Sequence, residues 1–553
     1  MSNPTARPSR YVATLVAACL AVMVAQVAYS LPGALNGTFQ QDFNISGAEL
    51  TWISAAFATT MVVFELTFGV LGDMFGRKRL LLGGALLIVV GAALCASAQE
   101  VHLMWIGQAI AGIGAGALYP ISLAMIAAAA PDAQARARAI ALWAGFLSLG
   151  AALSPMMAAV LTEFGSWRWA FGAVIAAALI SFVVSLGAQD SSSPEGRKLD
   201  LPGQATLAVG LIALLWALTQ GSEIGWGNTT IVVGFVIGVV SLAAFVVIEL
   251  RTEVPLLHLN LFANRVFAIS GITAVVGMFA FLGLCFSMSI WLGAVQHVSP
   301  LKIGVLFLVI QGPAFLLVPL VSRLIHSVSP RWVLTSGFAL IAIAGFICSQ
   351  FDVRTSTWTD FIVPMLLLGV GFAFTVASIT AVAINTVPLR LAGMASATTN
   401  LLRDFGFALG PVLVAAIANS VANNEVRDGL GAAVGESDLG QAHAGAVMGI
   451  GEQGGAMALN SMPVIPVPTD PSLAPGPDNP MLAMPSAISD LAFSSLGSGY
   501  SLAFLVCALC AAASGVLTLF GLFGSRPESE AAVDLGTDVL HEIANVADDV
   551  NVR

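Results

Sequence analysis

The sequence is poor in charged residues. Only 9% of its 553 residues are Asp, Glu, Lys or Arg, whereas 58% are hydrophobic. Soluble domains carry about 25% charged residues. The few charged residues of this sequence could not cover the apolar surface of a soluble fold. A soluble protein is therefore excluded, and a polytopic membrane protein is predicted.

Cysteine is also scarce, and its positions indicate no disulfide or metal framework. All six cysteines lie in apolar runs, where small hydrophobic packing is expected of Cys19, Cys95, Cys285, Cys348, Cys507 and Cys510. The 21 Lys and Arg residues form no basic stripe, which argues against a nucleic-acid partner. The six histidines lie at span ends or in loops and no nucleophile motif is visible, so neither an enzyme nor a metal or cofactor is expected.

Long apolar runs, in contrast, are abundant. A helix needs about 20 mostly apolar residues to cross a bilayer, and fourteen segments meet this requirement. They are residues 11–31, 50–71, 80–98, 103–128, 139–161, 170–188, 204–220, 229–249, 266–293, 303–325, 332–350, 361–384, 397–420 and 497–523. The first run lacks a convincing cleavage site, so it is expected to be a span and not a signal peptide.

The distribution of cations predicts the orientation of these spans. With the N-terminus inside, 17 of the 21 Lys and Arg residues fall on the inner side and 4 on the outer side. Cytoplasmic segments carry such an excess. The sequence therefore predicts a multi-pass protein of the cell membrane, in contact with lipid, whose two termini are cytoplasmic.

Two long segments lie outside the predicted spans. The outer loop 421–496 has a proline-rich middle, which cannot form a regular helix or a central strand, so an extended or disordered loop is expected. The tail 525–553 is acidic and is expected to be solvated.

A dense charge cluster separates the second and third spans and reads Gly69-Val-Leu-Gly-Asp73-Met-Phe-Gly76-Arg77-Lys78-Arg79. Gly69 and Asp73 are four residues apart and share a helix face, on which glycine allows another helix to approach closely. Asp73 would lie at the inner end of its helix, where the N-terminus of another helix could bind it.

The spacing of Gly69, Asp73, Gly76, Arg77 and Lys78 between two spans resembles the signature of the major facilitator superfamily. Further elements resemble the fourteen-span drug:proton antiporters of that family. They are Trp52-Ile-Ser-Ala-Ala-Phe, Trp167-Arg168-Trp169, Leu218-Thr-Gln-Gly221 with Gly225-Trp226, and Pro255-Leu-Leu with Leu261-Phe262.

This resemblance implies an all-α fold in which residues 11–188 and 266–524 form two six-helix bundles around a central cavity. Residues 189–265 would link the bundles and add two central transmembrane helices, and residues 1–10 would be a cytoplasmic N-terminus. Each bundle would contain inverted three-helix repeats. The charged motif would be either a conformational latch between the bundles or a turn that only sets orientation.

Glu65 is the acidic residue that lies well inside a predicted span. A carboxylate in hydrocarbon costs about 2.5–3.5 kcal/mol on insertion scales, and burial favours a group that gains and loses a proton near neutral pH. Glu65 is thus a candidate proton or cation site, or else a structural acid bonded to neighbouring helices. Asp404 beside Arg403 is a possible second acid site. Because the two are adjacent they point to different faces, and Arg403 is interpreted as structural or headgroup-facing.

Three features of the sequence, two single positions and one helix element, depart from the family's pattern. Met23 stands where related antiporters often carry an Asp, and Gln108 stands where the family has an Arg. The family's fifth-helix element, Gly-Pro with paired glycines, is replaced by Ser154-Pro155 with Ala158-Ala159, although Gly150, Ser154 and Pro155 still permit close packing and a kink. These departures weaken the argument for proton coupling.

The remaining candidates for a cavity are neutral polar side chains, namely Gln26, Gln108, Tyr119, Gln311 and Asn385. A cavity with little fixed charge favours a hydrophobic or amphipathic small molecule as substrate. The sequence therefore predicts a monomeric exporter that works by alternating access and exchanges its substrate for protons. The alternative is a facilitator, or a transporter of lipid-like molecules or metabolites, without strict proton coupling.

Overall fold

The computed structural model describes residues 6–131, 133–192, 199–252, 255, 257, 259–385, 392–437, 441–462 and 486–523. In these ranges the chain forms α-helices and no strand, which confirms the all-α prediction. The helices are α1 Ala6–Ser30, α2 Asn36–Phe43, α3 Gly47–Phe75, α4 Arg77–Ser97, α5 Val101–Ala129, α6 Ala133–Glu163, α7 Trp167–Ser185, α8 Leu201–Ile224, α9 Thr229–Glu249, α10 Arg265–Ile290, α11 Pro300–Leu316, α12 Val318–Ser327, α13 Pro330–Ser349, α14 Ile362–Asn385, α15 Ala392–Gly435, α16 Gln441–Asn460 and α17 Ser486–Gly521.

Thirteen helices of the described ranges are long and apolar enough to cross a membrane. The tenth predicted span, 303–325, departs from the prediction because it is divided between α11 and α12 at Leu317. Pro313 lies near the end of α11, and a proline lies in the first turn of α12. Since proline removes a backbone donor and favours the first turn of a helix, it ends one helix and begins another.

The helix termini follow from local sequence. Ser46 and Glu49 form a capping box at the start of α3, in which each side chain bonds the other's backbone N–H. The helix ends at Gly76, whose φ of +102° is a conformation that side-chain-bearing residues rarely adopt. The charged motif is therefore a tight turn between α3 and α4. We call this end of the helices the motif end, and the end near α2 the α2 end.

The transmembrane helices pack as two bundles with a helical pair between them. One bundle contains α1 and α3–α7, and the other contains α10, α11, α13–α15 and α17. The pair α8–α9 lies against both, because α8 contacts α3 and α15. Ala55, Leu215 and Val412 form a small buried cluster where these three helices meet, and Gln204 donates to the Val63 carbonyl at 2.6 Å.

Equivalent helix pairs of the two bundles cross at glycines. On α4, a Cβ at Gly91 would lie 2.5 Å from the Gly107 oxygen of α5. On α14, a Cβ at Gly371 would lie 2.6 Å from the Gly337 oxygen of α13. Backbones this close leave no space for a side chain, which is how small residues mediate helix contacts in membranes.

We expect Gly91→Val to destabilise the protein strongly, because the side chain would force α4 away from α5. Gly83→Ala on the same helix is the matched control, since a Cβ there meets nothing within 4 Å. Thermal unfolding in detergent should show a large loss of stability for Gly91→Val. Gly83→Ala should be neutral or gain up to about 1 kcal/mol from helix propensity. Equal stability of the two variants would contradict the crossing described here.

The prediction of an extended or disordered loop over 421–496 is wrong for its described parts. Helix α15 continues to Gly435, and α16 follows from Gln441 to Asn460. These parts lack proline and are rich in alanine, which favours helix. The proline-rich middle at 463–485 and the tail from residue 524 lie outside the described residues.

Candidate functional site

A cavity lies between the two bundles at their common boundary. Its walls come from α1, α3, α5 and α6 on one side and from α10, α11, α14 and α15 on the other. The space open to water inside it is about 130 Å³, whereas drug-sized pockets occupy about 300–1,000 Å³. A bound small molecule would therefore require the bundles to move apart.

Several predicted site residues meet in this cavity. Its lining includes Gln26, Tyr119 and Gln311, together with Arg403 and Asp404. The carboxamide of Gln26 is held in place by two bonds, because its oxygen accepts from the Tyr119 hydroxyl at 2.8 Å and its nitrogen donates to the Ser30 hydroxyl at 2.9 Å.

Three other predicted residues are placed differently. Gln108 is 1% exposed but is not part of the cavity lining, and its Nε2 has no hydrogen-bond acceptor among the described residues. Asn385 ends α14, and its side chain lies outside the described residues. Glu65 is buried in α3 outside the lining, and it reaches the cavity through Asp404.

An acidic pair joins the two bundles at this point. The carboxyl group of Glu65 on α3 lies beside that of Asp404 on α15. Two ionised carboxylates repel each other and have no donor to share, so this proximity favours the binding of a proton between them. The Arg403 guanidinium binds Asp404 at 3.0 Å and also donates to the Asn400 side chain at 3.3 Å.

The placement of Arg403 corrects the sequence interpretation. Arg403 and Asp404 do pair, and Arg403 faces the cavity and not the headgroups. A long guanidinium side chain can fold back onto the carboxylate of the next residue. Two adjacent residues can therefore pair even though they start from different faces of the helix. With one shared proton, the cluster of Arg403, Asp404 and Glu65 has no net charge, and without it the cluster has one net negative charge.

The other wall of the cavity is aromatic. The rings of Phe281 and Phe372 stack with centroids 4.0 Å apart, and Phe407 lies 6.3 Å and 6.4 Å from them. The site thus combines one charged cluster with broad apolar surfaces, an arrangement suited to amphipathic molecules.

Sequence reasoning missed the polar residues at the α2 end of the cavity. Asn36 of α2 donates to the Ser289 hydroxyl of α10 at 2.9 Å, and the Asn36 side-chain oxygen has no partner among the described residues. Asn36 follows the predicted end of the first span and belongs to no recognisable pattern, so no sequence signal marked it.

The bundles are in close contact at the α2 end. A Cβ on Gly37 of α2 would overlap the carbonyl of Gly293, which lies in the π-helical turn after α10. Together with the bond from Asn36 to Ser289, this contact closes the cavity at the α2 end.

The residues of the fifth-helix element pack against α1. A Cβ on Gly150 would lie 2.8 Å from the Met23 oxygen, and the Ser154 hydroxyl donates to the Val27 carbonyl at 2.6 Å. Helix α6 is continuous through Pro155, whose carbonyl lies beside Gly304 of the other bundle. This face of α6 therefore contacts both α1 and α11.

The charged motif is bonded mainly to the segment that follows α7. Arg77 pairs with Asp73 at 2.7 Å, and its backbone N–H donates to the Ser191 carbonyl at 2.9 Å. The Lys78 ammonium donates to the Leu186 carbonyl at 2.5 Å. These bonds hold the motif within its own bundle, so a latch between bundles stays a prediction.

The glycines of the motif differ in their structural role. A Cβ on Gly69 would meet Pro120 at 3.9 Å, an ordinary contact, so the predicted close approach does not require glycine there. Gly76 does require glycine because of its positive φ.

Known proteins of similar sequence are named as drug-resistance proteins. The chain is 29% identical over 372 residues to multidrug resistance protein Stp of Mycobacterium tuberculosis, covering 67% of this chain and 69% of that one. It is 26% identical over 455 residues to multidrug resistance protein 3 of Bacillus subtilis, covering 80% and 86% of the two chains.

The fold resembles solved transporter structures. A bacterial homologue of the human lysosomal transporter Spinster, in an inward-facing and unoccupied conformation, superposes with a TM-score of 0.56 at 16% identity. The match covers 94% of this chain and 99% of that one. The model of the Major Facilitator Superfamily matches residues 18–411. The chain therefore belongs to the Major Facilitator Superfamily and is a transporter, not an enzyme.

Proposed function

We propose that this protein exports hydrophobic or amphipathic small molecules by alternating access and exchanges them for protons. The motif end would face the cytoplasm, because the excess of cations lies on that side of the spans. The α2 end would then face the outside. The conformation in the structure, in which the bundles are in contact at the α2 end, would be closed to the outside.

The observation that carries the proposal is the acidic pair between the bundles. Glu65 belongs to α3 and Asp404 to α15, so a proton shared between them would lie at the boundary that must open and close during transport. Any movement of one bundle relative to the other changes the distance between these carboxyl groups. The energy of the shared proton is thereby linked to the conformation of the protein.

The charge of the cluster suggests how coupling would work. A protonated cluster is neutral and suits a closed, water-poor cavity, because a net charge in a low-dielectric site is costly. Loss of the proton leaves a net negative charge, which is tolerated when the cavity is open to water or holds a substrate of complementary charge. Proton release and substrate binding would therefore favour the same open state, as exchange requires.

The substrate class follows from the walls of the cavity. Phe281, Phe372 and Phe407 offer aromatic faces, while the amide of Gln26 offers hydrogen bonds. The names of the relatives in Mycobacterium tuberculosis and Bacillus subtilis refer to multidrug resistance, which agrees with a broad specificity.

At the motif end, we propose that Asp73 and Arg77 act as a latch. Arg77 also reaches toward the Ala124 carbonyl of α5 at 3.4 Å, so the pair links α3, α5 and the segment after α7. A rearrangement of this bonded unit would accompany opening to the cytoplasm.

Transport by the purified protein in proteoliposomes would test the function. An imposed pH gradient should drive accumulation of a fluorescent amphipathic dye, and an ionophore that collapses the gradient should abolish the accumulation. Transport that continues unchanged after the gradient collapses would favour the uncoupled facilitator, to which the departures at Met23 and Gln108 point. No transport of any hydrophobic probe in a broad panel would contradict the proposed substrate class.

A further inference from the structure

Helix α16 lies across the α2 end and is bonded to both bundles. The Gln40 side chain of α2 donates to the Met457 carbonyl of α16 at 3.3 Å. The Asn460 side chain at the end of α16 donates to the carbonyls of Ala294 and Val295 at 3.1 Å and 3.2 Å. These two carbonyls belong to the π-helical turn, so α16 connects α2 with the end of α10.

Helix α16 is anchored on the side of the second bundle. The Asn423 side chain of α15 accepts from the Ala456 backbone N–H at 3.0 Å. Gly455 has a φ of +64° there, and a Cβ on it would overlap Asn423. These contacts and those of Asn460 hold α16 to one bundle. Its bond to α2, the bond from Ser461 to Asn44 and its packing against α3 are therefore the contacts that must break when the α2 end opens.

His297 lies at the junction of these elements. Its ring contacts the Gln41 side chain of α2 through Nδ1 at 2.9 Å and the Asn460 carbonyl of α16 through Nε2 at 3.3 Å. A carbonyl only accepts, so Nε2 carries the hydrogen and Nδ1 accepts from the Gln41 amide. The neutral ring therefore satisfies both contacts. The neighbouring Gln296 fixes this segment to its own bundle, since it donates to the carbonyls of Val353 and Ser356 at 2.8 Å and 2.9 Å.

A positive charge on His297 would have no counter-charge among the described residues that line the same hollow. Arg354 lines that hollow and is itself a cation. The carboxylates of the surrounding elements are engaged elsewhere or exposed: Asp42 accepts from Trp167, Asp352 from the Arg354 backbone, Asp360 from Thr357, and Asp490 and Glu452 are exposed. Rotation of the Gln41 amide could offer an acceptor to a charged ring, but it would not supply a negative charge.

We propose that α16 is a strap that holds the α2 end closed, and that protonation of His297 releases it. The proposal rests on the proposed function in one respect, namely that the α2 end faces the outside. Acid on that side would then open the strap and admit protons toward the acidic pair in the cavity.

The direction of the pH effect follows from the partial desolvation of the His297 ring. His297 is an exposed residue, but the elements around its ring remove part of its water, and this partial desolvation lowers the pKa of His297 below its ordinary value of 6.5. The closed strap therefore favours the neutral ring, and its stability is greatest above the ordinary pKa. As pH falls below about 6.5, a released and fully hydrated ring binds a proton more readily than the partly desolvated ring of the closed strap does, so closure weakens.

A distance measurement tests the strap directly. Spin labels are attached to Glu100→Cys on the first bundle and Glu452→Cys on α16, both exposed positions, in the purified full-length protein. We expect the distance between the labels to lengthen between pH 8 and pH 5. The fraction of molecules in which α16 is released should rise by roughly fivefold or more, which is the lower end of the range measured for coupling between two sites in a protein.

Two variants separate a switch from a merely structural role. His297→Asn keeps a side chain that tolerates the φ of +53° at this position, removes the titrating group, and should leave the distance independent of pH. Gln41→Glu would place a carboxylate beside Nδ1 and should reverse the response, so that closure is stronger at pH 5 than at pH 8.

A distance that does not change with pH in the wild type would overturn the proposal. A pH response that survives in His297→Asn, or that is not reduced in Gln41→Glu, would overturn it as well, because another group would then be titrating. The readout needs no transport. Failure of proton-coupled efflux alongside an intact pH response would therefore count against the proposed function and not against the strap.

Discussion

Replacement of Glu65 by Gln is expected to reduce pH-gradient-driven accumulation of substrate at least tenfold while the protein remains folded in the membrane. The amide keeps a donor for Asp404 but cannot gain or lose a proton. The cluster of Arg403 and Asp404 would then have no net charge in every state, as it does when the acidic pair is protonated. Exchange of substrate across the membrane without a pH gradient should be retained.

Accumulation and exchange should be measured in the same proteoliposomes. Glu163→Gln is the matched control, since Glu163 is an exposed acid at the end of α6, and it should behave as the wild type. Unchanged accumulation in Glu65→Gln would rule out a role in coupling. Loss of both accumulation and exchange would identify Glu65 as a structural acid, the alternative that its burial left open.

Replacement of Gly37 by Ala is expected to prevent closure of the α2 end, because the added methyl group would overlap the Gly293 carbonyl of the other bundle. Backbone atoms cannot give way as flexible side chains do, so the bundles must separate there. Transport should fall at least tenfold, since alternating access needs both the open and the closed form.

The native Cys285 offers a direct measure of this opening, because it lines the cavity and is 3% exposed. A membrane-impermeant maleimide added on the α2 side should label Cys285 at least tenfold faster in Gly37→Ala than in the wild type, as read by mass spectrometry of its peptide. Gly145→Ala is the control, since a Cβ there meets nothing within 4 Å. Slow labelling of both variants would show that the contact of Gly37 with Gly293 does not seal the cavity.

The most consequential difference between expectation and structure concerns Arg403 and Asp404. From the sequence the two residues were expected to face apart, with Glu65 as the candidate proton site and Asp404 as a possible second acid site. In the structure Asp404 binds Arg403 and lies beside Glu65, although Glu65 is more than 330 positions away in the chain. Met23 and Gln108 stand where related antiporters carry charged residues, so Glu65 was expected to lack a charged partner. In the structure Asp404 of α15 provides that partner at the boundary between the bundles.

The loop after α15 was misjudged for a related reason. The prolines in the middle of 421–496 led to one prediction for the whole segment, whereas its alanine-rich flanks favour helix. Helix α16 lies on the ends of other helices, and its bonds to Gln40 and to the π-helical turn depend on residues distant in the chain.

The helices, their order and the family could be derived from residue patterns, because hydrophobic length, helix caps and the spacing of the motif act over a few neighbouring residues. The Gly76 turn is local in this sense. The packing of Gly150 and Ser154 against α1, the proximity of Glu65 and Asp404, the seal at Gly37 and the contacts of His297 join segments that are far apart in the chain. No spacing rule specifies such pairs, because they exist only where the two bundles meet.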